Sequence, residues 1–279
     1  MRYLQPVLAA DLFPGERAAL LEVLTSLSDE QWASPTVCEG WSVHDVMLHV
    51  LGGDIGIISS RRDGYREPAT AGLDLSRWDV LVAFINERND AWVQATRRIS
   101  PRLLCEFLRL TGEALASHFA QLDPFAPGAV VSWASPEPAP TWLDTAREYT
   151  ERWLHQQHVR DAVGQPGLTE PRWLAPVLAT FAYALPRALQ PVEAPEGATV
   201  QLVMRGEAGG VWNAVRAGGA WELTDEAAAA PDARVTLDQE VAWRLFTRGL
   251  SRESAAAQVQ QEGEARLAER VLDMVSIIA

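Results

Sequence analysis

The feature that most constrains this chain is a change in the period of its apolar residues. It falls at a proline-bearing stretch, residues 186–197, PRALQPVEAPEG. Before this stretch apolar residues recur at helical spacing, and after it they alternate. Leu12, Leu20, Leu21, Leu24 and Leu27 predict a first helix closing near Ser28. Ser42, with Asp45 three positions on, reads as a capping box opening a second helix, which carries Val46, His49, Val50 and Gly53 on one face. Further helices are expected from about Arg77 to Arg98, from Pro101 to Leu122 and from Thr141 to Val163, where Gly164 supplies a stop. The five prolines of residues 124–140 exclude a helix interior and predict a long loop. Beyond the break, TVQLVM, GVWNAV, AWEL and ARVTL are short, β-branched and bounded by Gly, Pro or Asp, as strands are. Asp238 is placed to cap a helix ending near Gly249, and a last helix is expected over about Glu264 to Ile278.

This pattern predicts a multidomain, mainly α protein. An antiparallel helical bundle would occupy residues 1–185, a linker 186–197, and a small α+β domain 198–279. The length of 279 residues agrees with two domains at a prior of about 150 residues each.

Composition removes most function classes. All 24 basic residues are arginine, so Lys Schiff bases, pyridoxal phosphate chemistry, P-loops and kinases are out. A formal net charge of −13 disfavours nucleic acid and anionic membranes as partners. No window approaches about 18 uninterrupted apolar residues, so no membrane span is expected. The N-terminal segment lacks the apolar core of a secretory signal, and a cytoplasmic protein is expected. Two cysteines, Cys38 and Cys105, make neither a disulfide framework nor a four-cysteine zinc site. Neither GxGxxG nor GxSxG occurs.

The five histidines are the informative residues that remain. Glu151 and His155 stand four apart in TAREYTERWLHQQHVRDAVG and so share a helix face, with His158 three further on nearly the same stripe. With His49 on the inward face of the second helix, one carboxylate and two imidazoles can form a three-ligand site that leaves a position open for water or substrate. The same spacing also describes a solvated Glu–His pair and a core histidine. Spacing leaves both readings open.

Two segments resemble the signatures of the DinB-like, mycothiol-dependent maleylpyruvate isomerase family. LSDEQWASPTVCEGWSVHDVMLHVLGGD, residues 27–54, resembles its Cys-x-Gly-Trp loop and capped helix, here Cys38, Gly40, Trp41, Asp45 and His49. AREYTERWLHQQHVRDAVG, residues 146–164, resembles its second signature, with Glu151 and His155 at the matching positions. The C-terminal 80 or so residues are similar, by element order, to the family's small sterol-carrier-like domain.

The resemblance implies a DinB-like four-helix bundle holding one divalent metal, zinc first and nickel as the alternative, through His49, Glu151 and His155. It also implies a low-molecular-weight thiol such as mycothiol as cosubstrate beside a small-molecule substrate, in an isomerase or thiol S-transferase. A metal-dependent hydrolase and a non-enzymatic binder of a small apolar ligand are the alternatives. His158 is the substitute for Glu151 as third ligand. Asp45 is either an outer partner orienting the His49 imidazole or simply the helix cap. Cys38 is read as a reactive thiol or, by default, as a small buried hydrophobe. Trp41 and Trp153 line a cleft or fill the core. Arg152 and Arg160 bind a carboxylate, or lie at the surface paired to acids such as Glu148. Asn86 and Asn89 receive no role.

Overall fold

The computed structural model describes residues 4–66, 77–226 and 228–277. They are mainly helical, with a five-stranded sheet and a two-stranded ribbon. The described residues within 9–124 and 148–168 form one compact unit, and those within 1–8, 125–147 and 169–278 form a second. This interleaved division does not follow the single cut at 186–197 suggested by the period change. Period reports which kind of element a segment forms, not which core it joins.

The first unit is helical. It contains α1 (Phe13–Ser26), the single turn α2 (Asp29–Trp32), α3 (Val43–Ile57), α4 (Trp78–Thr96), α5 (Pro101–Ala120) and, from Glu148 onward, α6 (Thr141–Val163). Its core joins Leu20 and Leu24 of α1, Val46, Met47, Val50 and Leu51 of α3, Val93 of α4, Leu104 and Leu108 of α5, and Val159 of α6. Leu20 and Leu24 are one turn apart, as are Met47 and Leu51, and Leu104 and Leu108, so each helix buries one stripe. Ser28 does not close the first helix. Its hydroxyl accepts from the Gln31 N–H while its own N–H donates to the Gln31 side chain, a box that opens α2. At Gly52 of α3 the indole of Trp92 comes so close that a Cβ would lie 2.6 Å from its Nε1. That indole donates to the Leu48 carbonyl at 2.8 Å, which fixes α4 against α3.

In the second unit, the proline-rich segment expected to be a loop pairs β1 (Pro127–Val130) with β2 (Pro138–Pro140) in an antiparallel ribbon. Prolines are tolerated in such a two-stranded piece because both strands are edges. The main sheet has five strands in the order β5 (Ala220–Thr224), β4 (Gly210–Ala217), β3 (Thr199–Arg205), β6 (Ala233–Asp238), β7 (Gln260–Gly263). All pairings are antiparallel except β3 with β6. Val200, Leu202, Val235 and Leu237 are fully buried, and α9 (Gln239–Phe246) and α11 (Ala265–Val271) pack on these strands. Asp238 caps α9 through the Glu240 N–H at 3.0 Å, as its position predicts. The last helix is shorter than expected, and Ile278 lies outside the described residues.

Several further elements here were not legible in advance. The helix α7 (Pro171–Phe181) contains Pro176, and α8 (Leu185–Leu189) begins with Leu-Pro and runs into what reads as linker from residue 186. The strand β7 is exposed at every position, so it has no apolar alternation to detect. The short α10 (Arg252–Ala256), capped by Ser251, completes the unit.

Candidate metal centre

The site is built from α3, α6 and the loop that leads into α3. Ser42 accepts from the Asp45 N–H and donates back to Oδ2 of Asp45, so α3 starts at a fixed residue and His49 falls two turns in. Below it, Asp54 of α3 accepts from Arg152 of α6 at 3.0 Å, from Arg17 of α1 at 2.8 Å and from the Thr111 hydroxyl of α5 at 2.8 Å. Arg152 also donates to Glu148 at 2.9 Å. The Asp54 side chain is wholly buried and that of Arg152 is 3% exposed, so this ion pair locks α3 against α6 within the unit. Glu151 and His155 are thereby held opposite His49.

The three donors converge. His49 Nε2 lies 3.3 Å from Glu151 Oε1, and His155 Nε2 lies 3.1 Å from the same oxygen. All three ligand atoms fall within 4.8 Å of one another. The imidazoles meet edge to face, 4.7 Å between centroids, and Trp41 lies against the outer side of His49 at 5.2 Å.

The charges are uneven. Burial holds the His49 pKa down, so this ring is neutral at neutral pH despite Glu151 beside it. Burial also opposes a charge on His155, but Glu151, aided by Cys38, outweighs it and pushes the pKa up to about 9. Burial raises Glu151, yet the two imidazoles outweigh that and hold its carboxyl well below the usual range. The cluster therefore keeps a carboxylate and attracts a positive charge. Two neutral-capable imidazoles and a carboxylate are the donor set of a catalytic zinc site, and His155 Nδ1 is buried with no hydrogen-bond partner. The residues fit a divalent ion.

A second cluster adjoins the first. Cys38 Sγ lies 3.3 Å from His158 Nδ1, and Cys38, His155 and His158 bring their ligand atoms within 4.8 Å of one another. His158 is thus grouped with Cys38 rather than with His49 and Glu151. The loop that presents Cys38 is tied by Thr36, which accepts from the Cys38 N–H at 3.2 Å and donates to the Trp41 carbonyl at 2.9 Å. Gly40, at φ +76°, makes the turn that a side chain would strain. Cys38 and His158 are 120 positions apart. No local pattern announces their meeting.

Other expected residues have different work. Asp45 does not turn toward His49: Oδ1 accepts from Arg97 at 2.8 Å, and Oδ2 serves Ser42 and Arg97. Arg152 is paired to Glu148 as expected, but in the interior rather than at the surface. Arg160 donates to the Gln156 side chain and to the Pro166 and Ala19 carbonyls. Trp153 is fully buried and donates to the Leu168 carbonyl, so it fills the core. Asn86 is exposed.

A helical unit carrying a two-histidine, one-carboxylate cluster, beside a unit built on a small sheet with helices, defines a class of two-part, mainly α proteins with a candidate metal centre. The family model described as the mycothiol maleylpyruvate isomerase N-terminal domain matches residues 13–160, and the chain belongs to that family. A crystal structure of the mycothiol-dependent maleylpyruvate isomerase is similar to this chain at a TM-score of 0.54 and 12% identity, over 92% of each chain. A structure of a mutant of that enzyme matches at the same score and coverage with 13% identity. Identities this low show the fold alone. No curated protein matches the sequence significantly. Among the described residues, no helix is long and apolar enough to cross a membrane.

Proposed function

We propose that this protein is a divalent-metal-dependent enzyme using a low-molecular-weight thiol, mycothiol or a close equivalent, in isomerase or S-transfer chemistry. The convergence of His49 Nε2, Glu151 Oε1 and His155 Nε2 in a member of this family carries the reading. The helical unit is read as a DinB-like antiparallel four-helix bundle and the sheet unit as its sterol-carrier-like companion. His49, Glu151 and His155 hold the ion, zinc by donor type, with nickel as the alternative. Bound there, the ion would depress the pKa of a thiol and supply thiolate at neutral pH. Trp41 shields one side of His49 from water, and the Asp54–Arg152 pair keeps the ligands of the two helices in register. The thiol either adds reversibly to an activated double bond, allowing rotation, or displaces a leaving group.

Calorimetric titration of mycothiol, bacillithiol and glutathione into zinc-loaded and chelator-stripped protein tests this. Saturable binding of one thiol to the loaded form alone is expected. Metal retention without any thiol binding would turn the reading to a metal-dependent hydrolase, and absence of both would leave a ligand-binding protein.

A further inference from the structure

Beside the three ligands assigned above, Cys38, His155 and His158 form a second convergent set whose donors are a sulfur and two nitrogens. The 3.3 Å between Cys38 Sγ and His158 Nδ1 is close to the edge of a tetrahedral metal site. Bonds of about 2.3 Å to sulfur and about 2.0–2.1 Å to nitrogen put two such donors about 3.5 Å apart. A cysteine beside a histidine would not by itself make a site. Here a further observation points into the cluster. His155 is 8% exposed, Glu151 engages its Nε2, and its Nδ1 is buried without a hydrogen-bond partner. A buried ring nitrogen left unpaired is costly unless something else takes it. Rotation cannot relieve this without giving up Glu151.

We infer that Cys38, His155 and His158 are a second, thiophilic metal cradle that competes with His49, Glu151 and His155 for a single ion. Competition follows from His155, which belongs to both sets. A neutral imidazole has one lone pair to offer, so Nε2 and Nδ1 cannot both serve as ordinary ligands at once. Donor softness decides the occupant. A carboxylate and two imidazoles suit borderline and harder ions, whereas a thiolate favours soft ones. On binding, the Cys38 thiol gives its proton to solvent and its sulfur lone pair to the metal, with no change of oxidation state. The site therefore takes ions such as cadmium or copper(I), and moving an ion into it empties the set on which the proposed activity depends.

The probe is cadmium(II) alone, added to metal-stripped full-length protein and followed by its thiolate-to-metal charge-transfer absorption, with stoichiometry from elemental analysis. One cadmium per chain with a saturable thiolate band is expected. Cys38→Ser should abolish the band while zinc still binds through the other set. His49→Ala should keep the band, which separates failure of this inference from failure of the zinc reading. Cys105→Ser, altering the other cysteine, should also keep it. Should His49→Ala not fold by circular dichroism, Glu151→Gln takes its place with the same expectation. A wild-type protein without the band, a band that survives Cys38→Ser, or one lost with either disruption of the first set would overturn the inference.

Discussion

Two polar clusters, one buried and one partly exposed at Glu151, lie about a turn apart on the same pair of helices, and they are satisfied to different degrees. At Asp54 both carboxylate oxygens are engaged by Arg17, Arg152 and Thr111, and Arg152 is further held by Glu148. At His49, Glu151 and His155 the donors converge on each other, and His155 Nδ1 remains unpartnered. The Asp54 network is a clamp because each of its charges already has its opposite, although Arg17 Nε is buried without a hydrogen-bond partner. A network of mostly electron-pair donors, with one nitrogen idle, has the composition of a ligand set. The contrast sets the clamp at Asp54 apart from the candidate ligand His49, although both are inward-facing polar residues of α3.

The sharpest way to break that contrast is Asp54→Ala. It strands Arg17 and Arg152 in the interior and should cost about 3–5 kcal/mol in urea denaturation. A cost below about 1 kcal/mol would mean that the pair is not the clamp. His49→Ala should do the opposite. Zinc affinity, measured by competition with a chelator, should fall more than about 100-fold, since even outer partners of metal ligands are worth 10–100-fold. Helical circular dichroism should persist. Retained zinc affinity in this variant would remove His49 from the centre.

The pH dependence sharpens the comparison further. In metal-free protein His155 holds a proton up to about pH 9, because Glu151 outweighs the burial that disfavours the charge. A metal must displace that proton, so affinity should climb about tenfold per pH unit up to that point and then level. His49, already neutral, adds no slope near neutrality. Levelling near pH 6.5, the ordinary histidine value, would show that His155 is not the protonated partner of Glu151. The smallest effect is expected at Asp45, whose oxygens serve Ser42 and Arg97. Asp45→Ala should cost about 1 kcal/mol as a lost cap and leave zinc affinity within about twofold. A larger loss of affinity would restore Asp45 as the residue orienting His49.

The helices of the first unit were readable because their signals are local. Ser42 and Asp45 mark a start, Val163 and Gly164 a stop, and Glu151 with His155 a face. The strands β3 to β6 were readable for the same reason, through two-residue alternation. The elements that escaped lack such signals: β7 has no apolar face, and α7 hides behind Pro176. Long-range partners outside the His49, Glu151 and His155 set escaped. Nothing near Cys38 in sequence points to His158, and nothing near Arg152 separates Asp54 from its other acidic neighbours. Arginine beside an acid four residues away reads as a surface pair, and only packing reveals that this one is interior.

The central claim is that His49, Glu151 and His155 hold one metal ion, and anomalous diffraction from zinc-loaded crystals at the zinc edge tests it most directly. The account predicts a single anomalous peak within about 2.0–2.2 Å of His49 Nε2, a Glu151 carboxylate oxygen and His155 Nε2. A zinc peak bound by Cys38 and His158 instead, or no peak near α3 and α6, would contradict it.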